Sequence, residues 1–210
     1  MTPAQHEAAQ ALCAAGRTLF DEGLTPGTSG NVSLRVAGGF VMSPTNVALR
    51  ALAPERLAVL DEQGAHIGGD APTKEAPLHL AVYRERPRAQ AIVHVHSTYA
   101  VALACLADVD PDDVLTPLTP YAAMRAGRVV LAPYARPGSA ALANAVARRA
   151  RDAAAIVLAN HGPLVAAPTL ADAVAAVIEI EAAAKVQLLL HGRDVRRLPV
   201  DEIAALRPHW

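Results

Sequence analysis

Aromatic side chains are scarce. Two Phe, four Tyr and one Trp make up 3% of 210 residues, too few to suggest the stacking platforms on which proteins hold bases. Charge of one sign is missing as well. Nineteen Lys and Arg against 20 Asp and Glu leave a formal net charge of −1, so no nucleic-acid footprint covers the surface, although a small anion pocket needs only a few donors. Cysteine is nearly absent: Cys13 and Cys105 stand alone. Their separation fits neither a metal knuckle nor a redox pair. Both fall in alanine- and leucine-rich segments of helical character, where they are expected to be buried, reduced packing residues. No apolar run is long and uninterrupted enough to span a bilayer. Residues Met1 to Gly16 mix Gln, His and Glu among alanines, without the apolar core of an export signal. The expectation is a soluble cytoplasmic protein with no membrane or nucleic-acid partner.

What the chain has in quantity is alanine and aliphatic residues. Hydrophobic residues reach 52%, a composition suited to closely packed helices, and the length is compatible with one domain and a substantial core. Residues 3–23 read as a helix, with Ala8, Ala9, Leu12, Cys13, Leu19 and Phe20 at helical spacing and Gly23 at its end. Val32–Val36 and Phe40–Met42 flank a Gly38-Gly39 turn, and Leu57–Leu60 and Ala65–Ile67 flank Gln63-Gly64, two predicted hairpins. Thr73 can cap a helix beginning near Lys74, with Pro77 tolerated in its first turn. Strands are predicted over 89–96, 129–132, 154–159 and 163–166, and helices over 98–106, 139–151 and 170–191, the last ended by Gly192. The stretch from Asp108 to Pro120 is a proline-punctuated extended excursion. The sum is an α/β fold with a mainly antiparallel sheet, since several strand pairs are joined by tight turns, and no repeat or linker divides residues 1–210.

The chemistry lies in the histidines. His94 and His96 end the run Ala-Ile-Val-His-Val-His. Residues i and i+2 of a strand leave the same face, so both imidazoles can reach one point. Two buried imidazoles on an otherwise apolar strand need a partner. Asn160-His161-Gly162 closes a second buried run, and three imidazoles from two strand ends make an open divalent-metal site. His6, His66, His191 and His209 are read as ordinary surface or core histidines. His79, four residues after Glu75 on one helical face, is read as a packing residue or a partner of a ligand. Glu75, in the first turn of its helix, either complements the helix dipole or acts as a fourth ligand able to become a general base. Gly27-Thr28-Ser29-Gly30-Asn31, Ser43-Pro44-Thr45-Asn46 and Thr73-Lys74 offer backbone N–H groups, hydroxyls, amides and an ammonium. Each is an ordinary turn by itself; together they can cradle a phosphate.

Gly27-Thr-Ser-Gly-Asn31, Ser43-Pro-Thr45, Glu75, His94-Val-His96 and Asn160-His161-Gly162 stand in the order and spacing of the class II aldolase/adducin family, which the chain resembles over roughly residues 5–190. The resemblance implies a single α/β/α domain with a central, mainly antiparallel sheet and a homotetramer with active sites between subunits. It implies one divalent ion per subunit, zinc first and manganese or cobalt next, held by His94, His96 and His161. Glu75 would be a ligand at rest and the acid/base in catalysis. Thr28, Asn31, Thr45 and Thr73 match phosphate-binding positions, with Gly30 and Asn46 beside them, and Tyr121 is the candidate for the tyrosine that protonates an aldehyde in the aldolases.

The chain departs from the sugar-phosphate aldolases. Asn46 stands where they carry Gly after Pro-Thr, and Thr73-Lys74 replaces Ser-Ser before the glutamate. The segments around Gly69–His79, His94–Thr98, Leu118–Tyr121 and Pro133–Gly138 look instead like the branch that decarboxylates 3-oxo-tetronate 4-phosphates to dihydroxyacetone phosphate. Lys74 suits a substrate bearing a carboxylate as well as a phosphate, and Arg136 is either a second anion contact or a surface arginine. Loss of CO2 and cleavage of a ketose 1-phosphate of the fuculose or ribulose type lead to the same metal-stabilised enediolate, so an aldolase is the alternative. A non-catalytic, adducin-like interaction module is a distant third, because it would have no need to retain all three histidines and Glu75.

Overall fold

Tight turns between alternating apolar runs give this chain its antiparallel sheet. The computed structural model describes residues 1–206; His209 lies outside them. After helix α1 (Pro3–Asp21) come strands β1 (Asn31–Val36), β2 (Gly39–Met42), β3 (Ala58–Leu60) and β4 (His66–Gly68), then α2 (Ala76–Glu85), β5 (Ala91–His94) and α3 (Thr98–Ala104). Beyond the excursion follow β6 (Val129–Ala132), α4 (Ala140–Ala150), β7 (Ala155–Leu158), β8 (Gly162–Ala167), α5 (Leu170–Leu189) and α6 (Val200–Leu206). The strands form one sheet in the order β4-β3-β2-β1-β5-β8-β7-β6. All neighbours are antiparallel except β6 and β7, whose connection passes through α4, as a parallel crossover must.

Side-chain alternation divides the core in two. Val32 of β1, Ala91 and Val93 of β5 and Val165 of β8 pack with α1, α3 and α5. Ile92, Leu164, Ile156 and Met42 pack with α2 and α4 on the opposite face. The result is the expected α/β/α sandwich. It also fixes where the polar residues go: Asn31 and Ser33 flank Val32, and His94 follows Val93, so all three belong to the α2 face.

Several boundaries differ from expectation. Strand β5 ends at His94, although the Val95 N–H still donates to the Pro163 carbonyl at 3.1 Å. Helix α2 begins at Ala76, not near Lys74. Glu75 is its N-cap residue and Thr73 caps only locally, its hydroxyl accepting the Glu75 N–H at 3.3 Å. Helix α5 ends at Leu189, short of His191. Cys13 is buried, but Cys105 is exposed, because α3 stops at Ala104 and leaves Cys105 as a C-cap with its sulfur facing Asn160. The π-helical turn Ala122–Ala126 and α6 were not expected. The excursion is pinned at both faces: Gln187 of α5 accepts from the Thr116 N–H and donates to the Val114 carbonyl, while along β6 the Val114 N–H donates to the Val129 carbonyl and the Leu131 N–H to the Pro111 carbonyl. Among the described residues, no helix is long and apolar enough to cross a membrane.

Candidate metal centre and anion cleft

The three central strands meet at one polar point. Register places Asn31 of β1 opposite His94 of β5, and His94 opposite Leu164 of β8. The β7–β8 turn carries Asn160 with φ +57° and Gly162 with φ +150°. A Cβ at Gly162 would stand 2.3 Å from the Val95 carbonyl oxygen, so only glycine lets this turn press onto the end of β5 and deliver His161. Gly30 does the same from the other side: its φ is +81°, and a Cβ there would meet the His94 carbonyl at 3.0 Å.

His94, His96, His161 and Glu75 converge. His96 Nε2 and His161 Nε2 lie 3.1 and 3.3 Å from His94 Nε2. Glu75 Oε2 is 3.3 Å from His94 Nε2, and Oε1 is 3.6 Å from His161 Nε2. No two of the four candidate ligand atoms are more than 4.8 Å apart. A tetrahedral ion with bonds of about 2.0–2.1 Å has ligand–ligand edges of about 3.3–3.4 Å, so the short separations have the size a bound ion requires. His94 is fully buried, and its Nδ1–H donates to the Pro163 carbonyl at 2.9 Å. A carbonyl only accepts, which leaves Nε2 unprotonated and aimed at the cluster. Burial, then the neighbouring imidazoles His161 and His96, push the His94 pKa well below the ordinary histidine value. Burial also lowers His96 and His161, against the opposing pull of Glu75. Neutral imidazoles offer lone pairs, and Glu75 Oε1 is buried without a hydrogen bond. This donor set fits a divalent cation.

The cluster opens into a cleft of about 280 Å³. Thr28, Gly30, Asn31, Thr45, Asn46, Thr73 and Lys74 line it together with Glu75, His96 and His161. Ser29, Pro44, Pro137 and Gly138 complete the wall; Pro137 and Gly138 arrive from the loop before α4, a long-range approach that no local pattern announces. Arg136 is exposed and not part of the lining. Tyr121 is 59% exposed at the start of the π-helical turn and also outside it. The sequence singled out Asn31 as an anion donor, yet its Nδ2 donates to Glu75 Oε2 at 2.8 Å. Behind it, and missed by sequence reasoning apart from His79, Ser33 and Tyr83 form a buried polar series.

A three-histidine, one-carboxylate cluster beside a donor-rich cleft, on an α/β/α sheet, is a site that could hold a metal ion, of an enzyme-like kind. The chain belongs to the family described as the class II aldolase and adducin N-terminal domain, whose model matches residues 10–188. A Haemophilus influenzae protein named 3-oxo-tetronate 4-phosphate decarboxylase is 43% identical over 91% of both chains. An L-fuculose phosphate aldolase of the same organism is 32% identical over 86% of this chain and 83% of its own length. The crystal structure of YgbL from Klebsiella pneumoniae superposes with a TM-score of 0.92 at 40% identity, covering 97% of this chain and 99% of that one.

Proposed function

We propose that the protein is a cytoplasmic carbon–carbon lyase that decarboxylates a 3-oxo-tetronate 4-phosphate to dihydroxyacetone phosphate and CO2. The observation that carries this reading is Lys74, whose ammonium-bearing side chain lines the same cleft as Glu75, His96 and His161, where it would meet a substrate carboxylate. The phosphate is assigned to the backbone N–H groups and side chains of Thr28, Gly30, Asn31, Thr45, Asn46 and Thr73, with Asn31 sharing its amide between substrate and Glu75. His94, His96, His161 and Glu75 would hold one divalent ion, zinc in our reading with manganese or cobalt as substitutes. When bound, that ion supplies Lewis acidity to the substrate's 3-oxo oxygen. The bond to the carboxylate carbon breaks, its electron pair stays on the second carbon, and the resulting enediolate takes a proton there. Glu75 Oε1, free of hydrogen bonds, is the atom placed to give that proton, directly or through a water it positions.

The alternative, cleavage of a ketose 1-phosphate, uses the same enediolate with an aldehyde as the other fragment, and is consistent with the relative named L-fuculose phosphate aldolase. Tyr121, exposed and away from the cleft of its own chain, would then act on a neighbouring subunit of a homotetramer. Incubation with the 3-oxo 4-phosphates derived from erythronate and threonate should release CO2 and dihydroxyacetone phosphate in equal amounts. Lys74→Ala should cost at least tenfold in kcat/KM on these substrates, the ~1.4 kcal/mol of one charge-assisted contact. Cleavage of ketose phosphates alone, with Lys74 dispensable, would overturn the assignment. A protein that neither binds a divalent ion nor gains activity from one would instead be the non-catalytic module.

A further inference from the structure

The Asn31 amide is held at both ends. A carboxylate accepts and cannot donate, so Nδ2 faces Glu75 Oε2 at 2.8 Å and Oδ1 faces His79 Nε2 at 2.5 Å. An amide oxygen also only accepts, so His79 Nε2 carries a hydrogen. His79 is fully buried, and burial lowers its pKa to about 3, keeping the ring neutral. Its Nδ1 is therefore a lone pair, and takes the Ser33 hydroxyl hydrogen at 2.7 Å. Ser33 Oγ also lies 3.0 Å from the Tyr83 hydroxyl, whose single hydrogen is shared with the Ser33 carbonyl at 3.1 Å and the Gln90 carbonyl at 3.4 Å. The donors Ser33, His79 and Asn31 all point the same way, toward Glu75, and aligned donors polarise one another.

We propose that His79 is a positioning residue for Glu75: backed by the Ser33 hydroxyl, its Nε2–H selects the one orientation of the Asn31 amide that donates to Oε2 and leaves Oε1 for ligation and proton transfer. Rotated by half a turn, the amide would present its oxygen to the carboxylate, acceptor against acceptor. A leucine at position 79 would fill the buried face of α2 between Leu78 and Val82, but would not distinguish the two orientations. The inference rests on the reading of Glu75 as a metal ligand and acid/base.

Zinc affinity, measured by competition with a chromophoric chelator, tests it without any substrate, so failure of the decarboxylase assignment leaves the result readable. His79→Leu should weaken zinc binding about tenfold, the low end for loss of a group supporting a ligand. His79→Gln, whose side-chain amide can still donate to Asn31, should recover most of that loss. In a Glu75→Ala background His79→Leu should change affinity less than about twofold, because the residue it acts through is gone. If His79→Leu does not fold, Ser33→Ala deletes only a hydroxyl and should show the same pattern at roughly two- to fivefold. Equal losses with and without Glu75, or a lowered Tm with zinc affinity unchanged, would overturn the proposal.

Discussion

One methyl group at position 162 tests whether the β7–β8 turn assembles the metal centre. Gly162 has φ +150°, a region comfortable only for glycine, and occupying it with another residue costs about 1–3 kcal/mol. The added Cβ would stand 2.3 Å from the Val95 carbonyl oxygen and 3.3 Å from His96 Cα. Carbon and carbonyl oxygen settle at about 3.3 Å or beyond, so the turn must retreat by about 1 Å, and such overpacking costs a further ~1–3 kcal/mol. The sum, about 2–6 kcal/mol, is a large part of the ~5–15 kcal/mol that holds a domain folded. His161 is adjacent and moves with the turn, by several times the ~0.2 Å tolerance of a metal–ligand bond. Gly162→Ala is therefore expected to unfold at lower denaturant and to lose zinc affinity together. Urea titration with and without a chelator reads the first, and chelator competition the second. A variant within about 0.5 kcal/mol of the parent, holding zinc as tightly, would refute the argument.

Three other outcomes follow from the same geometry. Zinc at a hundred times its Kd should stabilise the fold by about 2.7 kcal/mol and a chelator should remove that gain; a Tm indifferent to both would contradict the four-ligand centre. His79 binds its proton in the unfolded chain near the ordinary value of 6.5 but in the fold only near 3, so its contribution is complete above pH 6.5 and lost as pH falls. By pH 5 the loss reaches about 2 kcal/mol, which His79→Gln should spare; equal acid sensitivity of the two proteins in urea titrations at pH 7 and 5 would count against it. Glu181 of α5 accepts the Tyr99 and Ala100 N–H groups at 2.9 and 2.8 Å, capping α3 from outside, and Glu181→Ala should cost about 1–2 kcal/mol by chemical denaturation, whereas a neutral result would show water replacing it.

The residues of the candidate metal cluster were legible because each announces itself locally. His94 and His96 obey the two-residue strand period, and His161 lies in a turn spelled by Asn160 and Gly162, both at positive φ. The sandwich was legible for the same reason, since alternation along β1 and β5 assigns each residue to one face. What periodicity does not state is which strand lies beside which, and so the partner of Asn31 was not legible. Its amide reads as an anion donor in a glycine-rich loop, and only the β1–β5 register, Asn31 against His94 and Ser33 against Ile92, turns it toward Glu75. The misplaced start of α2 has a related cause. Thr73 is a good capping residue by type, but the Pro44–Pro72 bridge and the Thr73 N–H bond to the Ser43 carbonyl hold it in sheet-like pairing, so the helix opens two residues later. That shift is functional in consequence: it makes Glu75 the N-cap instead of a first-turn residue, and frees its side chain to turn from the helix axis into the cleft. Cys105 failed for want of one turn of helix, because a cap position has no buried face to occupy.

The polar residues on the α2 face of β1 were nonetheless visible as an anomaly. Asn31 and Ser33 alternate with Val32 and Leu34 in a strand at the centre of the sheet, where both faces are covered and polar side chains are costly unless paired. Such a face needs partners from the helix above it, and α2 supplies them in His79 and Tyr83, four residues apart and therefore on one side of the helix. The same face then meets His94 one strand over, so a single polar seam runs from Tyr83 through the core to the cleft and ends at the only carboxylate in the cluster. A fold stabilised by alanine and aliphatic packing has no structural need for that seam. Its position at the junction of β1, β5 and β8, where register is fixed from both sides, is what a site requiring sub-ångström placement of a glutamate would demand.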